Sequence, residues 1–296
     1  MRRTRACIAA ISLVAAIGLV GAACAPPAPG GGGPAPVDWS FKGTQITNVD
    51  SQDEVRVLGA CVAIPNCNDE PYLMTVAFRV AIGQPGSAQT WVVKGSSLSN
   101  VEEGETRTLT GGQQGTVNFP GIVPLDALDA LNPSNKMEIV GTYTWAAEED
   151  LIDSLSTGAN GVADLFEDAL NDLLASSVLP EDPEDLINLV LDLLFNNVGS
   201  AFDIFLSNFP CLGLCDDVLG GRVYVGLGAT GTLGATIDGL LGGFSVPSIT
   251  LLGDNLVPPN VQGGGIFTLS GAKSFNSQSF IGADGHHSYN FLVGPA

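Results

Sequence analysis

Two histidines, His286 and His287, stand side by side near the end of this chain, and no others occur. Each could serve as a general base near neutral pH. Adjacent residues on a strand point to opposite faces, so the pair is poorly placed to hold one metal ion, and Gly285 just before them suggests a turn that leaves both at the surface. A histidine base would still need a nucleophile, and no G-x-S-x-G turn occurs. The phosphate-cradling G-x-x-x-x-G-K-[ST] run and the dinucleotide fingerprint are also missing. No residue is therefore assigned as catalytic. Oxygen ligands crowd two short stretches, Asp50, Asp53 and Glu54, then Asn66, Asn68, Asp69 and Glu70. Neither has EF-hand spacing, and the same residues serve turns and hydration equally well. The sequence calls for no cofactor, and calcium at Asp50, Asp53, Glu54, Asp69 or Glu70 is the candidate that these two stretches bring into view.

The six cysteines carry more information. Arg2, Arg3 and Arg5 precede an apolar run from Cys7 to Val20, followed by small residues, which reads as an export signal over residues 1–23. The run Gly21-Ala22-Ala23-Cys24, with Gly21 where leucine is usual, resembles the lipobox of bacterial lipoproteins. That resemblance covers the signal region alone, and implies that Cys24 is acylated and becomes the first mature residue. Ordinary cleavage after Ala23 is the rival route, since the same small residues permit it. Cysteine parity separates the two. Cys7 leaves with the signal; acylated Cys24 leaves four cysteines that can pair completely, whereas unmodified Cys24 leaves an odd thiol. The four fall into local sets, Cys61–Cys67 and Cys211–Cys215, read as disulfides in an oxidising compartment. Crossed pairing and a zinc site are the alternatives. Residues 24–36 then form the anchor and a proline- and glycine-rich tether, reaching roughly 3 nm if extended.

Charge excludes one class of partner. Three of the 11 basic residues leave with the signal while all 31 acidic residues stay, so the mature chain carries a formal charge of −23. Nucleic acid and anionic headgroups are not partners that such a chain holds by charge. Between Met137 and Gly221 there are 17 acidic residues and no lysine, arginine or histidine. Carboxylates there are expected to face water or bound cations, or to relieve helix N-termini.

Periodicity divides residues 37–296 into three stretches. Up to Ala146 the pattern is of strands: Tyr72 to Ile82 alternates as a half-buried strand, and Met137 to Trp145 repeats it. Val55 to Cys61, Thr90 to Lys94, Thr106 to Thr110 and Thr116 to Phe119 are shorter candidates. Over about residues 147–214 the period becomes helical, as in Val162, Leu165, Phe166, Ala169, Leu170 and Leu173. A second helix is expected from Asp182 as N-cap with Pro183 behind it, and a third from Ser200. From Gly221 strands return, at Arg222 to Leu227, Ile249 to Leu252, Gly265 to Ser270, Gln278 to Ile281 and Ser288 to Val293. The fold expected is α+β: a mainly antiparallel sheet domain, sandwich or barrel-like, carrying an inserted acidic block of two to three α-helices.

These readings describe an exported, lipid-anchored cell-envelope protein with a non-catalytic binding or structural role, its protein or glycan ligand unidentified. A secreted hydrolase using His286 or His287, and an oligomeric pore with the glycine-rich run Val223 to Gly239 as long strands, are the alternatives. Mass spectrometry of the mature N-terminus should find Cys24 acylated, and Cys24→Ala should release the protein from membranes; an unmodified cysteine would reverse the assignment.

Overall fold

The computed structural model describes residues 35–51, 56–57, 60–61, 70–149, 155–175, 177–180, 182, 184–186, 188–189, 217–242, 246, 248, 261–282 and 285–296. The signal, Cys24 and the tether, Asp53, Glu54 and Asp69, the proposed third helix and the proposed strand at Ile249 to Leu252 lie outside them.

Strand formers alternating with polar residues give β1 (Val37–Ser51), β4 (Pro71–Ala81), β5 (Gln89–Lys94), β6 (Thr106–Thr108), β7 (Val117–Ile122), β8 (Glu138–Glu148), β9 (Asp217–Leu227), β10 (Val261–Thr268), β11 (Lys273–Ile281) and β12 (Gly285–Pro295). Among the described residues these build two five-stranded sheets. The first runs β11-β12-β1-β6 with β7 also on β1, and the second runs β10-β9-β8-β4-β5. The expected single strand at Val55 to Cys61 is instead a short antiparallel pair, β2 (Arg56–Val57) with β3 (Ala60–Cys61). Pairing is antiparallel except between β9 and β10, which run parallel and therefore need a crossover. That crossover includes α3 (Gly231–Leu240), so the glycine-rich run read as long pore-like strands leaves the sheet after Leu227 and turns helical.

The two sheets face each other across one core. Phe41 of β1, Phe291 of β12 and Tyr224 of β9 meet there with ring centroids 5.0 to 5.4 Å apart. The outer face of the second sheet forms another core with α2 (Leu155–Leu170), whose Val162, Phe166 and Leu170 pack on Met74, Phe78 and Tyr143. A π-helical turn, Asn171–Ala175, continues α2. β4 is consequently buried on both faces rather than half-buried, because helices cover the face that a bare sandwich would leave wet. The first sheet keeps the alternation of a strand with one wet face, seen in β12. Beyond α2, Asp182 caps as expected: its Oδ1 accepts from Glu184 N at 2.8 Å, and Leu186 N donates to Asp182 O. Two single turns complete the described helical residues outside these, a 3-10 turn at Gly111–Gln114 and α1 (Ala127–Ala130), the latter capped by Asp126. No helix among the described residues is long and apolar enough to cross a membrane.

Close approach rather than backbone dihedral fixes one glycine. Gly141 sits opposite Phe78 in the β4–β8 ladder, and a Cβ there would lie 2.2 Å from Phe78 Cζ and 2.7 Å from Tyr224 O. Gly141→Ala should destabilise the fold by about 1–3 kcal/mol through overpacking. Urea denaturation monitored by fluorescence checks this, and an unchanged midpoint would show that the ring has room to move.

Candidate functional site

The polar residues converge at one end of the sandwich, where β1, β8 and β12 bring their ends together. In the β1–β12 ladder Asn48 lies opposite His287 and Asp50 opposite His286. Strand alternation sends His287 inward, where it is 0% exposed, so the pair is not the surface pair expected from Gly285. Its Nε2 lies 3.4 Å from Oε1 of Glu148, the last residue of β8 and itself only 7% exposed. The contact joins the two sheets. Beside it, buried Asn48 donates from Nδ2 to Ser51 Oγ at 2.7 Å and to Val101 O at 3.0 Å. His286 faces the other way and is half-buried. Burial, with His287 as a second cause, holds its pKa below the ordinary 6.5, and Asp50 opposes them.

Of the calcium candidates, Asp50 and Glu70 fall within the described residues. Asp50 is on β1, and Glu70 is an exposed residue at the foot of β4 whose carbonyl accepts from Glu149 N. Among the described residues no three His, Cys, Asp or Glu side chains gather closely enough to hold a metal ion. Cys61 is placed in β3, while Cys67, Cys211 and Cys215 lie outside the described residues. Three carboxylates of the cation-free segment do not simply face water. Glu138 pairs with Arg79 at 2.5 Å, Glu149 with Lys94 at 3.4 Å, and Glu148 with His287, each partner coming from outside that segment. Sequence reading missed Glu148 and Asn48. The available signal was a charged or amide residue at an inward position of a strand.

At the opposite end of the sandwich, by Ile82 just after β4 and Met137 just before β8, lies a groove of about 790 Å3. Its walls are mainly apolar, from Met137, Ala175, Leu179, Leu186 and Ile237, with polar groups from Asn132, Asn135 and Ser177. Leu131 and Val178 rim it and are strongly exposed, at 79% and 87%. Among the described residues Lys136 is the one charged group of the lining, and it makes no ion pair there. Within this acidic chain, the described part of the groove therefore combines a mainly apolar body with one cation, Lys136, at its wall.

Compared with protein-family models, with curated proteins and with solved structures, the chain gives no match.

The lowered pKa of His286 makes stability pH-dependent. Between that lowered value and 6.5 the unfolded chain binds more protons than the folded one, so stability rises with pH in this window and is lost as pH falls through it. Thermal midpoints measured from about pH 7.5 down to about pH 5.5 should fall in the native chain, and fall less in His286→Gln. Equal slopes would remove His286 as the cause.

Proposed function

We propose that the chain is exported, is held to a membrane by a lipid on Cys24, and acts as a non-catalytic binding protein for an amphipathic anion: an acyl chain with a carboxylate or similar head. The observation that carries the reading is the groove beyond Met137. Its volume of about 790 Å3 falls within the range of roughly 300–1,000 Å3 common to small-molecule sites. Its lining would take an alkyl chain out of water at about 0.8 kcal/mol per methylene, and Lys136 supplies a cation for the head group. Exposed Leu131 and Val178 at the rim give an incoming chain apolar surface before it seats.

Fluorescent acyl probes test this directly. A dansylated fatty acid should bind the purified full chain saturably, with blue-shifted emission, and be displaced by unlabelled fatty acid. Lys136→Glu should weaken the carboxylate probe roughly 3- to 10-fold, as expected for losing an exposed pair and adding repulsion, while leaving an uncharged acyl alcohol nearly unchanged. Val178→Asp, at an exposed position, should weaken both. Failure to saturate, or identical affinities for the native chain and both variants, would overturn the proposal. The histidine pair gives a hydrolase reading little support, because fully buried His287 cannot touch a substrate and His286 alone would have to serve.

A further inference from the structure

A second cavity, of about 390 Å3, opens along one side of the sandwich between the outermost strands of the two sheets, β10 and β11. The chain itself builds this side from glycine. β10 carries Gly263, Gly264 and Gly265, and its register with β9 slips between Val261 and Gly264. Gly264 has φ +148, and a Cβ there would lie 1.7 Å from Val223 O, so no side chain fits. Gly263 has φ +119, and a Cβ would stand 3.1 Å from Nη1 of Arg222. Bare backbone thus leaves room for a guanidinium, and Arg222 of β9 fills it.

The two strands are joined across the cavity by side chains in place of a backbone ladder. Gln262 accepts from Ile281 N at 2.8 Å through Oε1 and donates back to Ile281 O through Nε2, much as a neighbouring strand would. Arg222 Nε donates to Ser279 O at 2.8 Å and Nη1 to Gln278 Oε1 at 3.1 Å. The same Gln278 oxygen accepts from Tyr224 OH at 3.2 Å, and its amide donates to Asn276 O. Arg222 also lies over the Phe280 ring, 5.6 Å from its centroid.

What Arg222 lacks is a counter-charge. Two of its five N–H groups are committed, both to neutral oxygens, and among the described residues no carboxylate pairs with it. A half-buried guanidinium is costly when unpaired, and burial indeed lowers the pKa of Arg222. The deficit is conspicuous in a chain with 31 acidic residues against 11 basic ones. Among the described residues the cavity lining includes no aspartate or glutamate, yet it includes a second cation, exposed Lys273, whose Nζ sits 5.9 Å from the Phe275 ring centroid. Phe275 itself packs on Tyr224 at 4.8 Å and on Phe267 at 5.8 Å, so one wall is apolar and fixed.

We infer that this cleft is a binding site for a small oxyanion, a carboxylate, phosphate or sulfate group, held by the remaining N–H groups of Arg222 with Lys273 at the exposed side. The planar guanidinium fork matches such groups in two hydrogen bonds, and the apolar wall strengthens them by excluding water. The site is independent of the acyl groove: it draws on β9, β10 and β11, and shares no lining residue with it.

Isothermal titration of the purified full chain with sodium phosphate, sodium sulfate and sodium acetate, each against sodium chloride of matched ionic strength, tests the inference. Chloride matching is needed because screening alone should stabilise so acidic a protein. At least one of the three anions should bind saturably. Acetate alone would identify a carboxylate as the ligand head, phosphate or sulfate alone a tetrahedral anion, and all three a general oxyanion site. Arg222→Gln should weaken binding roughly tenfold or more, and the surface change Lys273→Ala a few-fold. Lys136→Glu, in the acyl groove, should leave it unchanged, which separates failure of this inference from failure of that one. If Arg222→Gln does not fold, amide spectra of the native chain decide, with saturable phosphate- or acetate-dependent shifts expected at Gly263, Gly264, Gly265 and Lys273. Absence of binding beyond the chloride control, or shifts confined to other residues, would overturn it.

Discussion

Burial of the β4–β8 pair on both faces is the constraint from which the other features follow. Eleven residues of each strand pair without a register break, from Pro71 with Glu148 to Ala81 with Glu138. Covered by the first sheet on one side and by α2 on the other, this ladder has no wet face on which to carry charge. β8 accordingly keeps its carboxylates at its two ends. Because its own stretch of chain contains no cation, each end takes its partner from another element: Arg79 of β4 meets Glu138, and His287 of β12 meets Glu148. The second contact ties the inner sheet to the outer one. Leaving a buried carboxylate such as Glu148 unpartnered is costly, so these ends add to the apolar middle in favouring one register of β8.

Much of this architecture could be read in the chain before any coordinates. Alternation placed β4, β5, β8 and β12 within a residue or three of their bounds, because each strand offers a consistent apolar face. The helical spacing of Val162, Phe166 and Leu170 likewise marked α2, and Asp182 marked a helix start. The failures share a cause. Whether the polar face of a strand meets water depends on what lies above it, so β4 read as half-buried and His287 as exposed. The stretch after Leu227 is rich in glycine and threonine, whose local preferences oppose a helix; α3 forms because a parallel β9–β10 pair requires a crossover, a tertiary demand with no local signature. β1 was hidden for a related reason. Its polar positions, such as Asn48 and Ser51, point into the structure and interrupt the apolar pattern.

The candidate sites were legible to different degrees. Asp50, His286 and His287 do share one end of the sandwich, yet the residue that gives that end its character, Glu148, is far away in sequence. Cations proved more informative than the far more numerous carboxylates. Arg79, Lys94 and Arg107 are paired with glutamates. Among the described residues Lys42, Lys136, Arg222 and Lys273 make no such pair, and the last three line the two cavities. In a chain with abundant acidic side chains, a cation left unpaired beside a cavity is a pointer that the carboxylates do not supply.

β1 has a further consequence. The first strand of the folded part pairs along almost its whole length with the last, from Trp39 opposite Pro295 to Ser51 opposite Gly285, and Ala296 N donates to Asp38 O. Nearly the entire chain must therefore be present before the first sheet can assemble. Such closure spans a very long loop, and loop entropy makes it slow. During synthesis β1 has β6 and β7 as neighbours on one edge while its other edge waits for β12. Until β12 pairs, one edge of β1 therefore stays an open row of backbone donors and acceptors, the kind of edge on which foreign strands can add.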